Sequence, residues 1–246
     1  MRWPRLLAFC LILSTPLPAL AQDCVILLHG LGRSTWSMRH IENTLHKTGY
    51  VVVNQSYLSR DKEINELSAI VGEAVERCQK SQPNAIHMVT HSLGGILVRV
   101  YFQHHPVGKV KRVVMLGPPN HGSEIVDRFR DSWWFKWLTG PAGQQLGTDA
   151  RSLPNTLKPI PLEIGIIAGH TRSDPWFSSL FSSAHDGKVS VESTKLPEMK
   201  DFIQVENGHT FMANSQQVIQ QIQAFLSTGY FAKPQTGLVS TAKTGA

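Results

Sequence analysis

The sequence predicts an α/β protein, a three-layer α/β/α sandwich around a mostly parallel sheet of about six strands. Six short aliphatic segments are apolar on both faces, as strands buried between two helical layers must be. Between most of them run stretches with apolar residues at helical spacing, and such alternation builds right-handed βαβ units. The chain has 246 residues, 41% of them hydrophobic, enough for one domain with a full core and short for two.

Taken in chain order, Met1-Arg2-Trp3-Pro4-Arg5 is basic, and an apolar run from Leu6 to Leu20 follows, broken by Ser14, Thr15, Pro16 and Pro18. Ala19 and Ala21 are small residues at the positions a signal peptidase reads, so residues 1–21 are expected to be a signal peptide, with Gln22 as the new terminus and export to the periplasm or beyond. The run is too short and too proline-broken for a spanning helix, which needs about 20 apolar residues. Phe9 and Asp23, before Cys10 and Cys24, are not the small residue a lipid-anchor signal requires. Removing the segment takes away Arg2 and Arg5 and no acid, so the formal charge falls from +6 to +4. With no Lys/Arg cluster and no nucleic-acid motif, nucleic acid is not an expected partner. Cleavage leaves Cys24 and Cys78, an even pair in an oxidising compartment. Cys24 opens a strand and Cys78 closes a helix that leads back into a parallel strand, which puts both at the same end of the sheet. A disulfide is the expectation, with two unpaired buried thiols as the alternative.

The six strand segments are Cys24–His29, Tyr50–Asn54, Ala85–Thr90, Arg112–Leu116, Leu162–Ile167 and Phe202–Val205. Helical stripes are Met38, Ile41 and Leu45; Ile64, Leu67, Ile70, Val71, Ala74 and Val75; Leu93, Ile96, Leu97, Val100 and Tyr101; and Val218, Ile219, Ile222, Phe225 and Leu226. From Pro118 to Pro161 the alternation fails. A structureless connection that long is unusual, so this segment is expected to be a cap with helices of its own. Its aromatic cluster, Trp133 to Leu138, reads either as a helix packed on the body or as an apolar lid that admits acyl chains or touches lipid. The domain is expected over residues 22–230, with residues 231–246 polar, aperiodic and disordered.

Thr90-His91-Ser92-Leu93-Gly94-Gly95 lies between an apolar strand and an apolar-striped helix, the context in which a nucleophilic serine sits on a strained strand-to-helix turn. Gly94 supplies the small neighbour that turn needs. Thr90 stands where a glycine is usual, and its β-branch crowds the crossing. The alternative is a plain turn with Ser92 as a helix cap. An acyl-transfer site also needs two backbone donors for the developing oxyanion. The Leu93 amide is one, and Leu31, between Gly30 and Gly32 after the first strand, is the candidate for the other. Of eleven histidines, His29, His87 and His91 lie in or beside strands, and His104 and His105 at a helix end. His209, in Glu206-Asn-Gly-His-Thr210 between the last strand and the last helix, is placed to swing an imidazole over Ser92. The acid that orients it should follow the fifth strand. Asp186, before Gly187 and a β-prone stretch, is preferred to Asp174, which precedes Pro175 and reads as turn initiation.

These residues resemble the α/β-hydrolase superfamily and, within it, small bacterial lipases and esterases with a trimmed sheet. The resemblance covers roughly Val25 to Leu226 and rests on His29-Gly30, Thr90 to Gly95, Asp186-Gly187 and His209, in that order; Gly117-Pro-Pro-Asn-His-Gly-Ser123 looks like the segment that lies beside the acyl site in such enzymes. It implies a serine acyl-enzyme mechanism, no cofactor and a small-molecule or lipid ester as substrate. Thioesterase, amidase or acyltransferase chemistry on the same three side chains, and a non-catalytic binding protein on the same fold, stay open. No His/Cys/carboxylate spacing suggests a metal site.

Overall fold

The computed structural model describes residues 22–171 and 178–233. The expected signal peptide, Asp174 and the tail beyond Lys233 lie outside the described residues.

Six strands form one sheet in the order β2-β1-β3-β4-β5-β6, every neighbouring pair parallel. They are β1 (Cys24–Leu28), β2 (Val51–Gln55), β3 (Ile86–His91), β4 (Val110–Leu116), β5 (Glu163–Gly169) and β6 (Met199–Val205). Nine helices accompany them among the described residues: α1 (Arg39–Lys47), α2 (Ile64–Leu67), α3 (Ala69–Gln79), α4 (Leu93–Tyr101), α5 (Glu124–Phe129), α6 (Trp133–Gln144), α7 (Leu153–Thr156), α8 (Val191–Thr194) and α9 (Gln216–Thr228). The expected α/β sandwich is the fold observed.

Alternate side chains of each central strand enter opposite cores. Ile26, Leu28, Met88, Val113, Met115 and Ile166 pack with α3 and α4 on one face. Val25, Leu27, Val89, Val114, Leu116 and Ile167 pack with α1 and α9 on the other. That two-sided burial is why these segments are apolar without alternation. Since β1 has β2 on one side and β3 on the other, the connections leaving β1 and β3 diverge, and a crevice opens at their carboxyl ends.

Several bounds differ from the sequence reading. β4 and β6 begin earlier than Arg112 and Phe202, because Val110 pairs with Ile86 and Met199 with Ile164. The second apolar stripe is broken at Ser68 into α2 and α3. His104 and His105 lie past the end of α4 at Tyr101 rather than in its last turn. The β-prone stretch after Gly187 makes only one isolated bridge, His185 to Ser190, and then turns into α8, where the Ser190 hydroxyl accepts the Ser193 amide at 3.4 Å and caps the helix start.

The segment between β4 and β5 carries α5, α6 and α7. Buried Arg99 on α4 ties it to the body by donating to the carbonyls of Asn120 (3.0 Å) and Leu157 (3.3 Å). α6 bends at Gly140 (φ 62°), where any side chain would collide with the Arg60 carbonyl. At the opposite end of the sheet from the crevice, Cys24 and Cys78 are both fully buried, with their sulfurs within bonding distance and their Cα atoms 5.8 Å apart.

Candidate active site

β3 ends at His91 and α4 begins at Leu93, so the chain reverses its course at Ser92 alone. Ser92 has φ 52° and ψ −119°, a conformation a side-chain-bearing residue adopts at a cost of about 1–3 kcal/mol. The turn persists because its surroundings fix it. The Ser92 amide donates to the Leu116 carbonyl at 2.9 Å, and Gly95 N–H to the Ser92 carbonyl at 3.0 Å. A Cβ on Gly94 would stand 2.8 Å from the Leu28 carbonyl oxygen, so strand and helix pass too closely there for a side chain. Thr90, in the position where the pattern usually has glycine, is accommodated by its other neighbour: it is fully buried, and a Cβ on Gly95 would lie 3.3 Å from its hydroxyl oxygen. A second glycine makes the room that the first would have given.

The loop after β1 faces this turn. A Cβ on Gly30 would lie 2.9 Å from His91 Nδ1 and 3.2 Å from Ser92 Cβ, so only glycine lets the loop come this close. The loop is held by the Gly32 amide donating to Ser59 Oγ (2.9 Å) and the Arg33 amide to the Gly30 carbonyl (3.2 Å). Tyr57, for which the sequence holds no signal, donates its hydroxyl to the His29 carbonyl at 2.5 Å and stacks on the His29 ring with centroids 4.1 Å apart. His29 Nδ1–H donates to the Gly30 carbonyl at 2.9 Å, and burial pulls its pKa below the usual range, so it is a neutral strut. Among the described residues, the Leu31 and Leu93 amides donate to no protein acceptor. Leu31 lines the crevice together with Ser92, and Leu93 directly follows Ser92 at the start of α4.

His209 and Asp186 approach from the loops after β6 and β5. His209 Nδ1 lies 2.7 Å from Asp186 Oδ2, and both residues are buried. The other carboxylate oxygen, Oδ1, accepts the Lys188 amide at 3.0 Å and the Val189 amide at 2.9 Å. The backbones are locked as well, with the His209 amide donating to the Asp186 carbonyl at 2.8 Å. Gly117, at the end of β4, packs against the pair: with φ 50°, its Cβ would stand 2.8 Å from Asp186 Oδ2 and 3.1 Å from His209 Nδ1. His91, fully buried, donates Nε2–H to the His209 carbonyl at 2.9 Å. Burial first, and then the neighbouring His209, hold its pKa well below the usual value, so His91 supports the loop as a neutral ring. His87 is kept neutral by burial and lies toward the other end of the sheet.

Ser92, His209, Leu31 and His91 line one cavity of about 380 Å³, while Asp186 lies behind the imidazole. Much of the remaining lining is apolar and comes from the segment between β4 and β5: Ile125, Val126, Trp134, Phe135, Leu138 and Leu146. Within the aromatic cluster, Phe135 is buried in the core shared with the body, whereas Trp133 and Trp137 are 79% and 76% exposed.

The family described as alpha/beta hydrolase fold matches residues 23–158, more than half of the sequence. The chain belongs to the alpha/beta hydrolase fold family. Among solved hydrolase structures, it superposes on the mature lipase BlEst2 of Bacillus licheniformis with a TM-score of 0.69 at 19% identity, covering 88% of this chain and 94% of that one. The metagenomic carboxyl esterase MGS0156 gives a TM-score of 0.62 at 18% identity over 80% of this chain and 68% of that one. In sequence, the human (Homo sapiens) lysosomal thioesterase PPT2 is 28% identical over 134 residues, which is 52% of this hydrolase chain and 43% of the relative. The match thus spans less than half of that relative's length.

Proposed function

We propose that this chain is an exported serine hydrolase that cleaves carboxylic esters of apolar acyl chains through a Ser92–His209–Asp186 triad. The observation that carries the reading is the placement of a serine on a strained turn and an acid-oriented imidazole in the wall of one apolar cavity. In this mechanism, His209 Nε2 takes the Ser92 proton as Oγ attacks the carbonyl carbon. The Leu31 and Leu93 amides hold the oxyanion, and the imidazolium returns the proton to the leaving alcohol. Water, deprotonated by the same imidazole, then attacks the acyl-serine, and collapse of the second oxyanion frees the acid and returns the proton to Oγ. Asp186 keeps the proton on His209 Nδ1, so that Nε2 is free to accept. No cofactor enters this scheme.

The substrate is a small-molecule or lipid ester. Transient contact with a lipid surface is supported by the exposed Trp133, Trp137 and Leu138 on α6, and by Phe211, 68% exposed two residues after His209. A thioester reading of the same site is favoured by the name of the human relative. The test is mass mapping after fluorophosphonate treatment, with Ser92 as the expected adduct, together with turnover of matched p-nitrophenyl esters, thioesters and anilides. Esters are expected to turn over fastest. Labelling elsewhere, or no labelling, rejects the mechanism; faster thioester turnover reassigns the substrate.

Export and a Cys24–Cys78 disulfide belong to the same proposal. The bond would close a loop with a sequence separation of 54 and stabilise the fold by about 4 kcal/mol in a chain-entropy account. Cys24→Ser with Cys78→Ser is therefore expected to lower Tm by about 10 °C. Thiol titration of the unfolded, unreduced protein should find neither cysteine free.

A further inference from the structure

The charged residues of the cavity wall are all of one sign. Arg33, Arg60 and Lys188 line it, and no aspartate or glutamate does; Asp61 and Glu63 follow Arg60 in the chain without reaching the cavity. Arg60 bridges two parts of the site. Its Cδ passes 3.8 Å from where a Cβ on Gly32 would stand, beside the loop that offers the Leu31 amide, and its guanidinium reaches the Leu138 carbonyl on α6 at 3.4 Å. Arg33 extends that same loop, and its charge is felt as deep as His91, where it helps to disfavour protonation. Among the described residues, neither Arg33 nor Arg60 is paired with a carboxylate. Both are exposed, whereas Val126, Phe135 and Leu146 on the same cavity are buried. The cavity is thus apolar in its depth and cationic at its mouth.

An acyl chain lying along the apolar wall, with its carbonyl at Ser92, leaves the alcohol or thiol portion directed to that mouth. An anion there meets two guanidinium groups that no acid of the described chain neutralises, and charge-assisted hydrogen bonds to such groups are the stronger kind. We propose that the site selects acyl esters whose leaving group carries an anion such as phosphate or sulfonate, bound at the mouth by Arg60 and Arg33. The proposal rests on the hydrolase reading above and adds the charge of the substrate to it.

The test compares 4-(octanoyloxy)benzenesulfonate with its neutral sulfonamide counterpart at low and high salt. The wild-type protein is expected to favour the anion in kcat/KM by about tenfold, an advantage that added salt erodes. Arg60→Gln with Arg33→Gln should bring the ratio of the two substrates near one, and Arg60→Lys should retain part of it; thermal melting checks that the variants fold. A wild-type ratio near one, or a ratio indifferent to both arginines, overturns the proposal even when the neutral ester is cleaved and Ser92 is labelled. If neither ester is cleaved, the hydrolase reading falls and takes this proposal with it. The source of the anion is read with 1-octanoyl-glycerol 3-phosphate as a monomer and dioleoyl phosphatidic acid in vesicles. Arginine-dependent cleavage of the first assigns a soluble phosphate ester, and of the second a lipid headgroup. Cleavage of both that ignores the two arginines overturns the assignment.

Discussion

Asp186→Asn is expected to lower kcat on p-nitrophenyl butyrate by about 10⁴-fold while leaving the fold intact. The reason lies in which oxygen of the carboxylate does what. Oδ1 accepts two backbone amides, from Lys188 and Val189, and Oδ2 faces His209 Nδ1 at 2.7 Å. An asparagine side chain has one acceptor and one donor end. Turning its NH₂ toward the two backbone amides would set donor against donor, so its oxygen must stay there and its NH₂ must face His209. The ring then becomes an acceptor at Nδ1 and carries its proton on Nε2, the nitrogen that has to take the proton from Ser92. The geometry is preserved and the chemistry stops. Asp174→Asn is the control: with no role in this scheme, it is expected to leave turnover within about twofold. A collapse of activity on Asp174→Asn with normal turnover on Asp186→Asn would move the acid to the other residue.

The legible parts of this protein were those that physics writes locally. Two-sided burial shows as unbroken aliphatic runs, so all six strands could be read, and Ser92 and His209 could be placed because one immediately follows β3 and the other lies in the short loop after β6. What escaped depends on contacts distant in sequence. Nothing in the chain near Tyr57 shows that its ring will stack on His29 or that its hydroxyl will cap a carbonyl there. Gly117 stood in a recognisable segment, yet its reason for being glycine, a close approach to the Asp186–His209 pair, exists only once three loops have met. Thr90 is the reverse case. Read alone it weakened the motif, and the compensation at Gly95 is visible only across the packed turn. The stretch after Gly187 misled because Val189 and Val191 have strand propensity, while the Ser190 cap and the turn at Asp186 settle the local conformation as a helix start.

Replacing the serine itself separates chemistry from strain. Ser92→Ala is expected to abolish fluorophosphonate labelling and to lower kcat by about 10⁶-fold, since without the nucleophile the imidazole has nothing to activate. Alanine keeps the backbone at φ 52° and ψ −119°, and with it the conformational cost, so Tm should barely move. Ser92→Gly is expected to be as inactive but more stable, by about 1–2 kcal/mol, because glycine adopts that conformation without a Cβ clash. The sign follows from two opposing terms. Glycine gains freedom in the unfolded chain, worth about 0.4–1 kcal/mol against the fold. The relieved strain, about 1–3 kcal/mol, exceeds it at a turn held from both sides by the Leu116 carbonyl and the Gly95 amide. Thermal melts of the two variants side by side measure the difference. A Ser92→Gly protein that melts below Ser92→Ala would mean that the turn holds no strain, and the hydroxyl's exposure at the crevice would then need another cause than a backbone forced into place for it.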